Sequence, residues 1–223
     1  MVVPNLTRRT LLRASVGTAA AVATSAFAPG AMAQRKADAP ISVEDLMKPD
    51  DVPDIILGKA DAPTTIVEYA SLTCSHCGDF HNKVFPTLKE KYVETGKVRF
   101  IMRSFPRDTL DLAAFMLARC AGGDKIVPLT GVFFAKQEDW AFLRANQLPA
   151  LYKIAQQAGF TKESFDKCLN DQVLSDQLVR GRDRAATVFG VDATPTFFIN
   201  GKKMKDEPSV AGFDKAIAES VKS

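Results

Sequence analysis

Cys74-Ser75-His76-Cys77 sets two thiols one helical turn apart with a histidine between them. Such a pair either ligates a metal or cycles between dithiol and disulfide. A structural zinc site needs about four ligands. The chain has no second Cys-x-x-Cys, and its only other histidine is His81, so no metal site is expected. What surrounds the pair favours redox chemistry. Thr65-Ile66-Val67-Glu68-Tyr69-Ala70 is a β-branched and aromatic run typical of a buried strand, and a helical pattern opens at the cysteines. Unsatisfied backbone N–H groups and the macrodipole at a helix N-terminus stabilise a thiolate. Cys74 is therefore the expected attacking thiolate. Cys77, one turn further in, is shielded and resolves the mixed disulfide.

His76 and Glu68 bear on the same chemistry. As a cation or a ring N–H donor, His76 would favour the Cys74 thiolate and make the disulfide more oxidising. The bland alternative is a solvated loop histidine. Glu68 precedes Cys74 by six positions in an otherwise apolar strand. Desolvation there favours the neutral carboxyl, which could exchange a proton with Cys77 through water. Strand alternation could instead turn Glu68 outward as an edge charge. His81 is read as a surface or packing residue.

The elements that must position these groups follow from pattern. Asp54 to Gly58 can add a short edge strand before the Thr65–Ala70 strand. The helix that opens at the cysteines continues to about Tyr92. Pro86 predicts a kink in it, and Gly96 a stop. Lys97 to Ser104 alternates as a second strand, so strand, helix and strand form a parallel, right-handed βαβ unit. From about 108 to 189 the period is helical, broken at Gly122-Gly123, Pro149, Gly159 and Gly181. Thr196 to Ile199 and Lys202 to Met204 flank Asn200-Gly201, a type I′ hairpin signal. Pro208 to Val221 reads as a closing amphipathic helix.

The first 33 residues read as an export signal. Thr7-Arg8-Arg9-Thr10-Leu11-Leu12-Arg13 is a twin-arginine-like motif, a weakly apolar stretch follows, and Ala31-Met32-Ala33 offers a cleavage site. The stretch falls short of the length and apolarity of a typical membrane span; an uncleaved N-terminal anchor is the alternative, and the general export route stays open beside the twin-arginine one. Residues 34–53 read as an arm that begins loose. The formal charge of +3 includes Arg8, Arg9 and Arg13 and no acid from the signal, so the remainder carries 3 − 3 = 0. Nothing in that balance suggests a nucleic-acid partner.

With the strand-Cys-x-x-Cys-helix unit, Thr194-Pro195-Thr196-Phe197-Phe198-Ile199-Asn200-Gly201 resembles the thioredoxin superfamily. The resemblance implies that Pro195 is cis and faces Cys74, and that the Thr194 backbone pairs with an extended substrate segment. The helical stretch, Cys-x-His-Cys and the Glu68 position look like DsbA-like proteins, the exported dithiol oxidases. That implies an α/β thioredoxin fold over 54–223 with a helical subdomain inserted at about 108–189, and no cofactor. It also implies a monomeric, periplasmic oxidase acting on reduced or unfolded exported proteins and recharged by a membrane oxidant resembling DsbB. Ser75 departs from the proline commonest in DsbA motifs, and Thr194 also occurs among isomerases of the superfamily. A disulfide isomerase or reductase therefore stays open, and a redox-inactive chaperone or binding module is a further alternative. Cys120 and Cys168 resemble the second bridge of some DsbA-like proteins, with two buried free thiols as the other reading.

Overall fold

The computed structural model of the chain describes residue 41, residues 43–48 and residues 50–221. The expected export signal at 1–33 lies outside the described residues, as does the beginning of the expected arm.

The centre is a five-stranded sheet in the order β1-β3-β2-β4-β5. The strands are β1 (Ile55–Leu57), β2 (Thr64–Ala70), β3 (Val98–Ser104), β4 (Thr196–Ile199) and β5 (Lys202–Lys203). β2 and β3 run parallel, from Thr64 against Val98 to Ala70 against Ser104. β1 and β4 are antiparallel to their neighbours, and β4 sets Phe197 beside Glu68. The β4–β5 turn has positive φ at Asn200 and Gly201 (46° and 80°), the requirement of a type I′ hairpin. A Cβ on Gly201 would also overlap the Ile41 carbonyl oxygen.

Helix α1 (Val43–Met47) lies in the arm that the sequence reading begins as loose. Over its described part this arm is tied down: Leu46 is buried, and its carbonyl accepts a 2.6 Å hydrogen bond from Arg103. α2 (Ser75–Asp79) starts directly after β2, with Cys74 at its N-cap. The long helix expected to reach Tyr92 is helical throughout but not uniformly α. A π turn at Phe80–Val84, α3 (Phe85–Leu88) and a second π turn at Lys89–Val93 follow α2. Pro86 offers no donor to the ladder, and the hydrogen bonds slip by one residue on either side of it. Phe85 N–H reaches the Phe80 carbonyl, and Glu94 N–H reaches that of Lys89. Gly96, at φ 73°, follows in the left-handed region.

Helices α4 (Thr109–Ala121), α5 (Ile126–Ala135), α6 (Gln137–Trp140), α7 (Gln147–Gln157), α8 (Lys162–Leu169) and α9 (Gln172–Phe189) fill the stretch between β3 and β4. α10 (Val210–Ser220) closes the chain. The sheet's two faces have separate covers. Ile66, Phe100, Phe197 and Ile199 pack with Phe80, Phe85 and Phe213, and their cluster extends among the inserted helices. Burial of each such ring contributes on the order of 2 kcal/mol. On the other face Val67, Tyr69, Ile101 and Phe198 meet Ala185 and Phe189 of α9 and Leu46 of α1. The last inserted helix thus returns to roof the sheet.

Candidate active site

The parity of β2 turns Glu68 to the face that carries Ile66 and Ala70, the face that α2 covers. The β2-to-α2 turn brings both thiols over the same face. Cys74 is 3 % exposed, Cys77 is fully buried, and both are free thiols. The Thr194–Pro195 bond is cis, and it brings the Thr194 carbonyl oxygen within 3.2 Å of Cys74 Sγ.

Several groups hold the Cys74 thiol down to about 4. A hydrogen bond from the Cys77 thiol is the largest influence, with burial working against it. The Thr194 side chain comes next, then the backbone N–H groups of Cys77 and His76 at the open end of α2. Burial, the bond to Cys74 and the Glu68 charge together push the Cys77 thiol far above its usual range. One sulfur is thus an anion at neutral pH and the other is held protonated, the asymmetry an attacking and a resolving thiol require.

His76 has an exposed side chain, so it is the backbone of His76 that faces the Cys74 sulfur. Glu68 is fully buried, not an outward edge charge. Its Oε2 lies 2.9 Å from His81 Nε2, and among the described residues its Oε1 has no hydrogen-bond partner. His81 does pack, as expected, but it also meets a buried carboxyl that the sequence reading did not assign to it. His81 stacks on Phe134 at 4.1 Å and joins the buried acid beside Cys77. The available signal is its spacing, four residues after Cys77 and so on the same side of a helix.

Two further residues hold the turn before Cys74. Gln137 of α6 donates from Nε2 to the carbonyls of Leu72 (2.8 Å) and Cys74 (2.9 Å). Asp111 of α4 accepts from Leu72 N–H at 2.7 Å and from Arg107 N–H at 3.0 Å. Burial pushes its carboxyl up to about 7, against opposing hydrogen bonds from Ser71, Arg107 and Leu72. Asp108-x-x-Asp111 is legible as a helix start, since Asp108 accepts from Asp111 N–H at the N-cap. Nothing in the sequence marks Gln137, because its partners are 65 and 63 residues away.

Cys120 at the end of α4 and Cys168 in α8 are disulfide-bonded, with Cα atoms 6.1 Å apart. Among the described residues no group of three or more His, Cys, Asp or Glu is arranged to hold a metal ion.

A family model described as thioredoxin matches residues 50–219. A Rickettsia bellii relative, provisionally named protein-disulfide oxidoreductase, is 35 % identical over 170 residues, covering 75 % of this chain and 66 % of its own length. The chain spans about two thirds or less of the first curated relatives it matches. The crystal structure of Wolbachia pipientis α-DsbA1 superposes with a TM-score of 0.73 at 32 % identity, covering 81 % of this chain and 96 % of that one. BdbD of Bacillus subtilis, at 20 % identity and a TM-score of 0.68, covers 83 % and 98 % and shares the fold. With the family model spanning most of the chain and α-DsbA1 matched almost end to end, the chain belongs to the thioredoxin family, among its DsbA-like members.

Proposed function

We propose that this protein is an exported thiol–disulfide oxidoreductase of the DsbA type, working as a dithiol oxidase through Cys74 and Cys77. The observation that carries this reading is the environment of Cys74, which lowers its thiol to about 4. Stabilising the thiolate stabilises the reduced protein relative to the disulfide, and a couple so biased gives its disulfide away.

The oxidised form would receive the thiolate of a reduced exported protein at Cys74 Sγ. The Cys74–Cys77 bond breaks, and Cys77 leaves and takes a proton. A second substrate thiolate then attacks the mixed disulfide and expels Cys74 as a stable anion. The substrate gains a disulfide and the enzyme is left as the dithiol. The Thr194–Pro195 segment, beside Cys74, would hold the substrate as an extended strand. A membrane oxidant resembling DsbB would restore the disulfide. Export as a monomer, with the signal removed near Ala33, belongs to the same proposal.

The reduction potential of the Cys74/Cys77 couple tests the direction. A value more oxidising than about −180 mV is expected, whereas one near the roughly −270 mV of thioredoxin would overturn the oxidase. A scrambled-disulfide refolding assay covers the isomerase alternative, since strong unscrambling by a multimer would favour it.

A further inference from the structure

We propose that His81 is the outlet of a proton path that runs from Cys77 through Glu68 to solvent. The inference rests on the oxidoreductase reading above and extends it to a residue outside the Cys-x-x-Cys and Thr-Pro elements.

The problem is set by burial. Cys77 and Glu68 have no exposure, yet Cys77 must gain a proton in one half of the cycle and lose it in the other. Glu68 acts on Cys77 electrostatically and keeps Oε1 without a protein partner, while its Oε2 meets His81. The Glu68 carboxyl thus has one oxygen committed and one free.

His81 supplies the way out. Its side chain is 11 % exposed and borders a cavity of about 120 Å³. Asn82 and Val127 stand exposed at the rim of that cavity, and Phe100, Met102 and Phe134 form its walls. The stack on Phe134 fixes the ring with Nε2 on Glu68. No other lining residue is titratable. β1 contributes Ile55 and Leu57, β3 contributes Phe100 and Met102, and α5 contributes Val127, Thr130, Gly131 and Phe134. The titratable groups that face His81 are therefore Glu68 and, beyond it, Cys77. An imidazole is the side chain best suited to pass a proton near neutral pH.

When the reduced protein is reoxidised, Cys77 loses its proton to the Glu68 carboxylate and attacks Cys74 of the mixed disulfide. The Cys74–Cys77 bond forms, the bond from Cys74 to the oxidant's sulfur breaks, and that sulfur leaves as a thiolate. Glu68 hands the proton to His81, and His81 releases it at the cavity. During substrate oxidation the proton travels inward. His81 touches no reacting sulfur, so it acts through Glu68 as a positioning residue.

Stopped-flow reaction of the reduced full chain with oxidised glutathione separates the first attack, by Cys74, from the second, by Cys77. His81→Gln should slow the second step about tenfold at neutral pH, modest for the loss of a proton-transfer group, and leave the first unchanged. The pH dependence of the second step should change in the same variant. Free imidazole should restore the rate of His81→Ala, which vacates the ring position beside the cavity. In a Glu68→Gln background, His81→Gln should add nothing. Wild-type rates and pH profile in His81→Gln overturn the relay. So does a slowed His81→Ala that imidazole does not rescue with effects additive to Glu68→Gln, the pattern of a ring needed only for packing. A wild-type protein that oxidises no dithiol peptide overturns the oxidoreductase reading and the relay with it. An active wild type with an unaffected variant overturns the relay alone.

Discussion

Gln137 donates a 2.9 Å hydrogen bond to the carbonyl of Cys74, joining an inserted helix to the reactive turn. The same nitrogen holds Leu72, so one buried amide fixes both ends of the segment that presents the thiol. Gly78 lies directly beneath, where any Cβ would overlap Gln137 Oε1. Gly78→Ala should therefore displace the amide and strip two buried carbonyls of their donor. We predict a loss of about 1–3 kcal/mol in denaturant unfolding. A rise in the Cys74 pKa, read by thiolate absorbance, should accompany it. Unchanged stability and titration would show that the clamp is slack.

The thiolate at Cys74 fixes how the redox potential responds to pH. With one cysteine ionised above about pH 4 and the other protonated, reduction takes up one proton per two electrons. The potential should then fall by about 30 mV per pH unit around neutrality, and twice as steeply below pH 4. A slope near 60 mV at pH 7 would contradict the assignment.

Asp111 predicts a pH trend in stability. Its carboxyl is raised in the fold, from 3.8 to about 7. Its contribution is therefore fully present below about pH 4 and lost as pH rises through 7. In the reduced protein Cys74 masks this limb, because a lowered thiol adds stability as pH rises above 4. Thermal melts of the oxidised protein, in which Cys74 does not titrate, should decline across pH 4–7, and Asp111→Asn should flatten the decline.

The Cys120–Cys168 bridge closes a loop over a separation of 48 residues. Replacing both cysteines by alanine should cost about 4 kcal/mol in the chain-entropy model. Disulfide transfer by Cys74 and Cys77 should persist at temperatures where the variant stays folded. A fall in turnover without a fall in stability would place the bridge in the catalytic machinery.

How much of this was legible depends on the range of the forces involved. β2, β3 and the β4–β5 hairpin are readable because alternation and Asn200-Gly201 act locally. Pro86 announces a disturbance, but whether the ladder kinks or slips into π turns depends on how Phe80 and Phe85 settle on Phe100. Glu68 is readable as unusual, since a carboxylate in an apolar strand needs an explanation. Its partner is not, because His81 offers only a helical spacing. Gln137 is silent, as its two acceptors lie across the tertiary structure. The resemblance to DsbA-like proteins filled part of that gap for the Thr194–Pro195 segment.

β1 has three residues and β5 two, and β5 is a pair of lysines. Strands this short, one of them cationic, are poor templates for a further strand. On the oxidase reading proposed above, an unfolded chain would pair beside Thr194 and leave again, since neither short rim offers a ladder long enough to hold a further strand. Brevity at the borders would thus keep a surface used for passing contact from seeding aggregates.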